Sequence, residues 1–192
     1  MENPILQFIE WWDKSQEASP LKHNDAVCLS TINDRGYPSG RIVDLKAADE
    51  NGFVFCTYLE SAKALELLSN SSVAITVWWD HVGYQVRVLG EAKLIDETLA
   101  QKLWSERDKA SQIATISFEQ SKPINTLEEI HEKYVKSERC FEHIDPPKPD
   151  KWGGFVVVPS SIEFFQFNEN RMHKRERYTL HNDKWGKTIL QP

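Results

Sequence analysis

Apolar positions recur along this chain at two different periods. From Pro4 to Gln16, Ile5, Phe8, Ile9 and Trp12 return at three- and four-residue steps, marking one side of a helix that packs on a sheet. From Ala26 the texture shortens into runs at Ala26–Ile32, Arg41–Ala47 and Phe53–Tyr58. The separators Asn33-Asp34-Arg35-Gly36 and Asp49-Glu50-Asn51-Gly52 are rich in residues that accept turn dihedrals, so a β-meander is predicted. Ser61 precedes Ala62–Leu68, whose Ala, Leu, Lys and Glu favour a helix, with the Ser61 hydroxyl placed to cap its first turn. Ser72–Trp79 and Tyr84–Ile95 predict two long neighbouring strands about the turn Asp80-His81-Val82-Gly83.

The stretch from Glu97 to Arg139 is helical by composition, and Ser-rich breaks and Pro123 divide it into three pieces. Asp145-Pro146-Pro147-Lys148-Pro149 cannot continue a helix and reads as an extended surface connection. Beyond it, Gly154–Val158, Ser161–Phe167 and Arg177–His181 predict strands, followed by a terminal run at Trp185–Leu190. Helices that interrupt the strands without strict alternation predict a mainly β fold, an antiparallel barrel with helices packed around it. A length of 192 residues with 40% hydrophobic content suits one domain spanning 1–192.

Composition narrows the function classes. No apolar run approaches the roughly 20 residues that span a bilayer, and Met-Glu-Asn-Pro-Ile-Leu lacks the basic region of a secretory leader. The expectation is a cytoplasmic protein that needs no membrane. A net charge of −6 argues against a nucleic-acid footprint, while leaving room for a local phosphate pocket. Cys28, Cys56 and Cys140 are far apart and are expected to be reduced and buried. His23, His81, His131, His143 and His181 show no ligand spacing, so no metal is assigned. The seven tryptophans are assigned to packing, and Glu128, Glu129 and Glu132 to a solvated helix face.

The candidate chemistry is spread over several segments. Phe53–Lys63 runs from a strand into a helix start, where free backbone N–H groups with Ser61 and Lys63 can hold a phosphate. Strand-to-helix turns with Ser and Lys are common, and alone this one reads as structural before it reads as functional. Arg41 and Lys46 are five apart on one strand, which sends them to opposite faces unless a bulge intervenes. Gln85 and Arg87 share a face, and Glu119-Gln120-Ser121 follows a helix. None of these is specific alone.

Their order along the chain is more telling. Arg41-Ile42-Val43-Asp44-Leu45-Lys46 is followed by Phe53-Val54-Phe55 with Thr57 and Ser61-x-Lys63, then by Gln85-Val86 and Arg107-x-x-x-Ser111-Gln112-Ile113. Gln120-Ser121, Trp152-Gly153-Gly154-Phe155, Ile162-Glu163-Phe164 and Arg171-Met172-His173-Lys174-Arg175 complete the series. Together they resemble the pyridoxine/pyridoxamine 5'-phosphate oxidase family over almost the whole chain. The resemblance implies an FMN-binding split β-barrel that forms a homodimer with active sites at the subunit interface. It implies oxidation of pyridoxamine or pyridoxine 5'-phosphate to pyridoxal 5'-phosphate, with dioxygen as acceptor and hydrogen peroxide as product.

By the same resemblance, Arg41, Ile42, Val43, Lys46, Thr57, Ser61 and Lys63 fall at flavin positions, with Arg41 and Lys63 near the phosphate. Gln85, Gln120, Ser121 and Arg175 are further flavin contacts, some from the other subunit. Lys46, Arg107 and Ser111 match the substrate-phosphate set, and Arg171 and His173 match the catalytic pair over the pyridine ring. Four positions depart from the family pattern. Ala62 stands for an arginine, Cys56 for a tyrosine, Phe165 for a tryptophan, and Leu103 for a tyrosine whose hydroxyl reaches the substrate phosphate. The chain also begins close to the first helix, which implies a more open substrate site. The related phenazine-biosynthesis oxidases, which also end in Leu-Gln-Pro, and a non-catalytic flavin or pyridoxal-phosphate binder are the alternatives.

Overall fold

The computed structural model describes residues 3–17, 19–20 and 22–192. Helix α1 (Pro4–Glu17) leads into the predicted meander of β1 (Ala26–Ile32), β2 (Pro38–Asp49) and β3 (Gly52–Tyr58). Helix α2 (Ala62–Ser69) connects to β4 (Ser72–Trp79), and a 3-10 turn at Asp80–Val82 connects that to β5 (Tyr84–Leu94). Then come α3 (Glu97–Ser105), α4 (Lys109–Ser117), α5 (Leu127–Cys140), β6 (Trp152–Gln166), β7 (Lys174–His181) and β8 (Lys184–Leu190). Every strand pairing is antiparallel.

The sheet runs β3-β2-β1-β4-β5-β6-β7-β8, and a further β3–β6 pairing closes six strands into a barrel. Strand β6 makes this possible through its length. Its first part, Trp152–Val157, pairs with β3, and its last part, Ser161–Gln166, pairs with β7. The two strands expected at Gly154–Val158 and Ser161–Phe167 are therefore one. Pro159 between them is tolerated because β5 shifts register opposite it, between Leu89 and Gly90. Gly90 is needed there, since a Cβ on it would sit 2.2 Å from the Val158 carbonyl oxygen.

Period-2 alternation turns Val27, Leu29, Ile75, Val77, Val86, Val88, Ile162 and Phe164 inward, each at most 3% exposed. Helix α1 plugs this core. Phe8, fully buried, meets Phe53 edge-on with ring centroids 4.8 Å apart, and Trp11 stacks on Tyr84 at 4.0 Å. Burying such a side chain contributes roughly 1.5–3 kcal/mol, so the apolar stripe of α1 anchors it firmly. No helix among the described residues is long and apolar enough to cross a membrane.

Three local expectations need correction. Ser61 is the N-cap residue of α2 by backbone position, yet its side chain makes no cap hydrogen bond. Its hydroxyl is 3.1 Å from that of Thr57 instead, and accepts from Lys63. Cys140 is exposed at the end of α5, and Cys28 and Cys56 are half-buried; all three are free thiols. Strand β7 begins at Lys174 rather than Arg177, because Lys174 and Arg175 continue the pairing with Gln166 and Phe165.

Candidate active site

Two groups of predicted residues occupy different parts of the surface. The first lines a cavity of about 400 Å³ between β2, β3, the start of α2, and α4. On β2, alternation presents Ile42, Asp44 and Lys46 outward to this cavity, and Lys46 sits at a register shift between Leu45 and Ala47. The bulge does not bring Arg41 to the same face. Arg41 pairs across from the buried Leu29 and points to the barrel end beneath α2. There it donates to Glu66 at 2.8 Å and to Ser39 at 2.7 Å, and it does not line the cavity.

Lys63 fills the deep end of the cavity and is 8% exposed. Its Nζ donates to the Thr57 hydroxyl at 3.1 Å, the Ser61 hydroxyl at 3.4 Å and Oε1 of Gln120 at 3.2 Å. All three acceptors are neutral, and no carboxylate among the described residues pairs with it. Burial, and then the nearby Arg41 charge, hold the Lys63 pKa below the ordinary lysine value, against an opposing pull from Glu66. A buried ammonium without a counter-ion is costly unless an anion arrives to complete it.

Arg107 enters the same cavity from the turn between α3 and α4. Trp104 and Trp152, edge to face at 5.0 Å, fix that turn against β6, and the guanidinium lies 6.0 Å from the Trp152 ring centroid. Among the described residues it makes one weak donation, to Thr115 at 3.4 Å, and its buried Nε has no partner. Ser111 does not line the cavity. Its N–H donates to Asp108, the N-cap of α4, at 2.9 Å, and hydrogen bonds from its hydroxyl and backbone hold the Asp108 pKa down. Burial pushes the Cys56 thiol up to about 11, against Lys46 and Arg107 pulling it down, which favours the protonated thiol.

The second group lies across β5, β6 and β7 and does not touch this cavity. Gln85, Phe165 and Arg175 stand side by side in the pairing register. Arg175 lies 5.9 Å from the Phe165 ring centroid, and its Nη2 is 2.8 Å from Oε1 of Glu163. The other Glu163 oxygen takes Arg87 at 2.6 Å. His173 packs 4.9 Å from the Phe165 ring and 4.7 Å from the Phe167 ring. Its Nδ1 accepts the Asn168 N–H at 3.1 Å, which leaves the ring proton on Nε2. Arg171 is exposed in the β6–β7 turn at φ 62°, a left-handed conformation unusual for a side-chain-bearing residue. Ser121, at φ 73°, follows Gln120 without lining the cavity.

Two family models together cover most of the chain. Residues 14–137 match "Pyridoxamine 5'-phosphate oxidase", and residues 152–192 match "Pyridoxine 5'-phosphate oxidase C-terminal dimerisation region". The chain belongs to the pyridoxine/pyridoxamine 5'-phosphate oxidase family. It is therefore an oxidoreductase of that family. A pyridoxine/pyridoxamine 5'-phosphate oxidase from Shewanella putrefaciens is 38% identical over 191 residues, covering 100% of this chain and 90% of the relative. A second, from Hydrogenovibrio crunogenus, is 37% identical with coverage of 100% and 89%.

Among solved structures, PhzG from Burkholderia lata, in complex with tetrahydrophenazine-1-carboxylic acid, superposes with a TM-score of 0.93 at 25% identity, covering 100% of this chain and 94% of that one. A pyridoxamine 5'-phosphate oxidase-related, FMN binding protein from Nostoc punctiforme shares the fold, with a TM-score of 0.80 at 17% identity and full coverage of both chains. The family indicates a flavin as the cofactor class, and the donors present fit a phosphorylated one. Lys63 offers an unneutralised buried charge, ringed by Thr57, Ser61 and Gln120.

Several partners had no signal that a one-dimensional reading could use. Glu66 is one helical turn beyond Lys63, but only the fold shows that it takes the charge of Arg41. Thr115 is known as a partner only once α4 is docked. Asp44 did carry a signal, since it shares the strand parity of Lys46.

Proposed function

We propose that the protein binds FMN across a homodimer and oxidises pyridoxamine or pyridoxine 5'-phosphate to pyridoxal 5'-phosphate. Dioxygen is the acceptor, and hydrogen peroxide the second product. The observation that carries this reading is the convergence of Lys46, Lys63 and Arg107 on one cavity, with Lys63 and Arg107 lacking carboxylate partners among the described residues. Two phosphate-bearing ligands, a mononucleotide cofactor and a phosphorylated substrate, would supply the missing anions.

In this reading Lys63, Ser61, Thr57 and Gln120 hold the flavin phosphate. Arg41, tied to Glu66 and Ser39, buttresses that end of the barrel from outside the cavity. Ile42 and Val43 line the flavin site, with Gln85, Ser121 and Arg175 as its remaining contacts. FMN supplies the two-electron redox chemistry at the substrate C4' carbon. Lys46, Arg107 and Ser111 grip the substrate phosphate, the last by releasing its hydroxyl from Asp108. Arg171 and His173 orient the pyridine ring, with His173 Nε2 as an N–H donor.

The positions of the residues support the homodimer. Phe165, Arg171, His173 and Arg175 all lie within the matched dimerisation region, 152–192, and none lines the cavity of its own chain. A second copy that brings this group to the first copy's cavity completes the set. The likeness to PhzG, together with Leu103 at the position of a phosphate-binding tyrosine, supports a second reading, an oxidase of a tricyclic carboxylic acid.

The test is aerobic turnover with pyridoxamine 5'-phosphate, pyridoxine 5'-phosphate and tetrahydrophenazine-1-carboxylic acid in parallel, scoring organic product and peroxide. Equal amounts of pyridoxal 5'-phosphate and peroxide support the vitamin B6 reading. Turnover of the carboxylic acid alone moves the assignment to the second.

A further inference from the structure

The cavity contains one carboxylate among its cations. Asp44 lies two residues before Lys46 on the outward face of β2, so the alternation that brings Lys46 to the cavity brings Asp44 too. Its Oδ2 is 3.4 Å from Lys46 Nζ, with side chains 52% and 33% exposed. Lys46 is thus the cavity cation that has a carboxylate partner, whereas Lys63 and Arg107 have none among the described residues. Cys56 feels both Lys46 and Arg107, which sets these two charges around one region, apart from the deep Lys63 end.

The geometry points to Asp44 as a specificity-determining residue that weakens this anion subsite and discriminates among ligands by their charge. Asp44 acts in two ways. It holds Lys46, so an incoming anion must compete for the ammonium. It also repels the anion directly, and that repulsion scales with ligand charge, so a phosphate dianion meets about twice the opposition that a carboxylate monoanion meets. A partly exposed pair has modest strength, which suits a tuning role rather than an outright block. This assignment rests on the reading that Lys46 and Arg107 receive the substrate's anionic group.

The test is equilibrium binding to the flavin-loaded protein, wild type against Asp44→Asn, with pyridoxal 5'-phosphate, inorganic phosphate and phosphate-free pyridoxal as probes. Asn keeps the shape and removes the charge. Pyridoxal 5'-phosphate and inorganic phosphate should tighten about tenfold and pyridoxal should not change, whereas a monoanionic carboxylate such as benzoate should tighten about threefold. In the Lys46→Met background, Asp44→Asn should still tighten both phosphate ligands, by less than tenfold, because the direct repulsion persists while the competition for the ammonium is gone. Unchanged phosphate affinity, or equal tightening of pyridoxal, overturns the assignment. Should wild type bind pyridoxal 5'-phosphate no better than pyridoxal while inorganic phosphate still tightens in Asp44→Asn, the vitamin B6 reading fails and the role of Asp44 stands.

Discussion

The ammonium of Lys63 sits 3.2 Å from Oε1 of Gln120, a residue 57 positions further along the chain. This contact joins the start of α2 to the loop after α4 and forms the deep wall of the cavity. It is also an arrangement of neutral acceptors around a buried cation, which an anionic ligand would complete. Lys63→Met is therefore expected to weaken FMN binding by roughly tenfold to a hundredfold, the loss of one hydrogen bond to a charged group worth about 1.5–3 kcal/mol. The apoprotein should stay at least as stable as wild type. Quenching of flavin fluorescence on titration measures the first, and apoprotein melting the second.

The same lysine gives a pH signature. Its folded-state pKa is depressed below the ordinary 10.5, so between the two values the unfolded chain holds a proton that the folded chain has released. Folding then becomes more favourable as pH rises through that window, and below it the full cost of the buried charge is present. The melting temperature of wild-type apoprotein relative to Lys63→Met should climb as pH is raised from neutrality to 10.5. A difference that stays flat or falls contradicts the depressed pKa.

Leu103 lies half-buried on α3, the helix that leads into Arg107. In the proposed reading, a tyrosine here would offer the substrate phosphate a hydroxyl that leucine lacks. Leu103→Tyr should lower KM for pyridoxamine 5'-phosphate by about tenfold, with kcat changed much less, since a bond to the phosphate acts equally on bound substrate and transition state. Steady-state kinetics on both variants checks this, and an unchanged KM removes Leu103 from the phosphate subsite.

Much of this architecture is legible in the sequence where a period is long enough to choose one face. The α1 stripe, the β1–β3 meander and the β4–β5 pair all follow from apolar spacing and turn residues. Pro159-Ser160 looks like a strand ending in one dimension, whereas the register shift that leaves Ser160 unpaired opposite Leu89 and Gly90 absorbs the proline and keeps β6 whole. The local pattern favours a cap by the Ser61 hydroxyl, but Thr57 and Lys63 outcompete the helix backbone for it. In the site, the cations could be read from ordered motifs. Their partners Glu66, Thr115 and Glu163 depend on which elements the barrel brings together. The separation of the cavity from the Phe165–Arg175 group likewise appears only in three dimensions.

The plug formed by α1 gives a stability prediction. Phe8 is fully buried against Phe53 and 5.7 Å from the Trp79 ring, in a region with little room to collapse. Phe8→Ala should destabilise the protein by about 3–5 kcal/mol. Denaturant unfolding of the two proteins measures it; a loss under about 1 kcal/mol would mean that α1 is not an integral part of the core.

The most direct test of the proposed activity is the reductive half-reaction. FMN-loaded protein is mixed anaerobically with pyridoxamine 5'-phosphate while the flavin absorbance is followed, and air is then admitted. Bleaching with stoichiometric pyridoxal 5'-phosphate is expected, followed by recovery of the oxidised spectrum and formation of peroxide. A flavin that stays oxidised with both the amine and the alcohol substrate would contradict it.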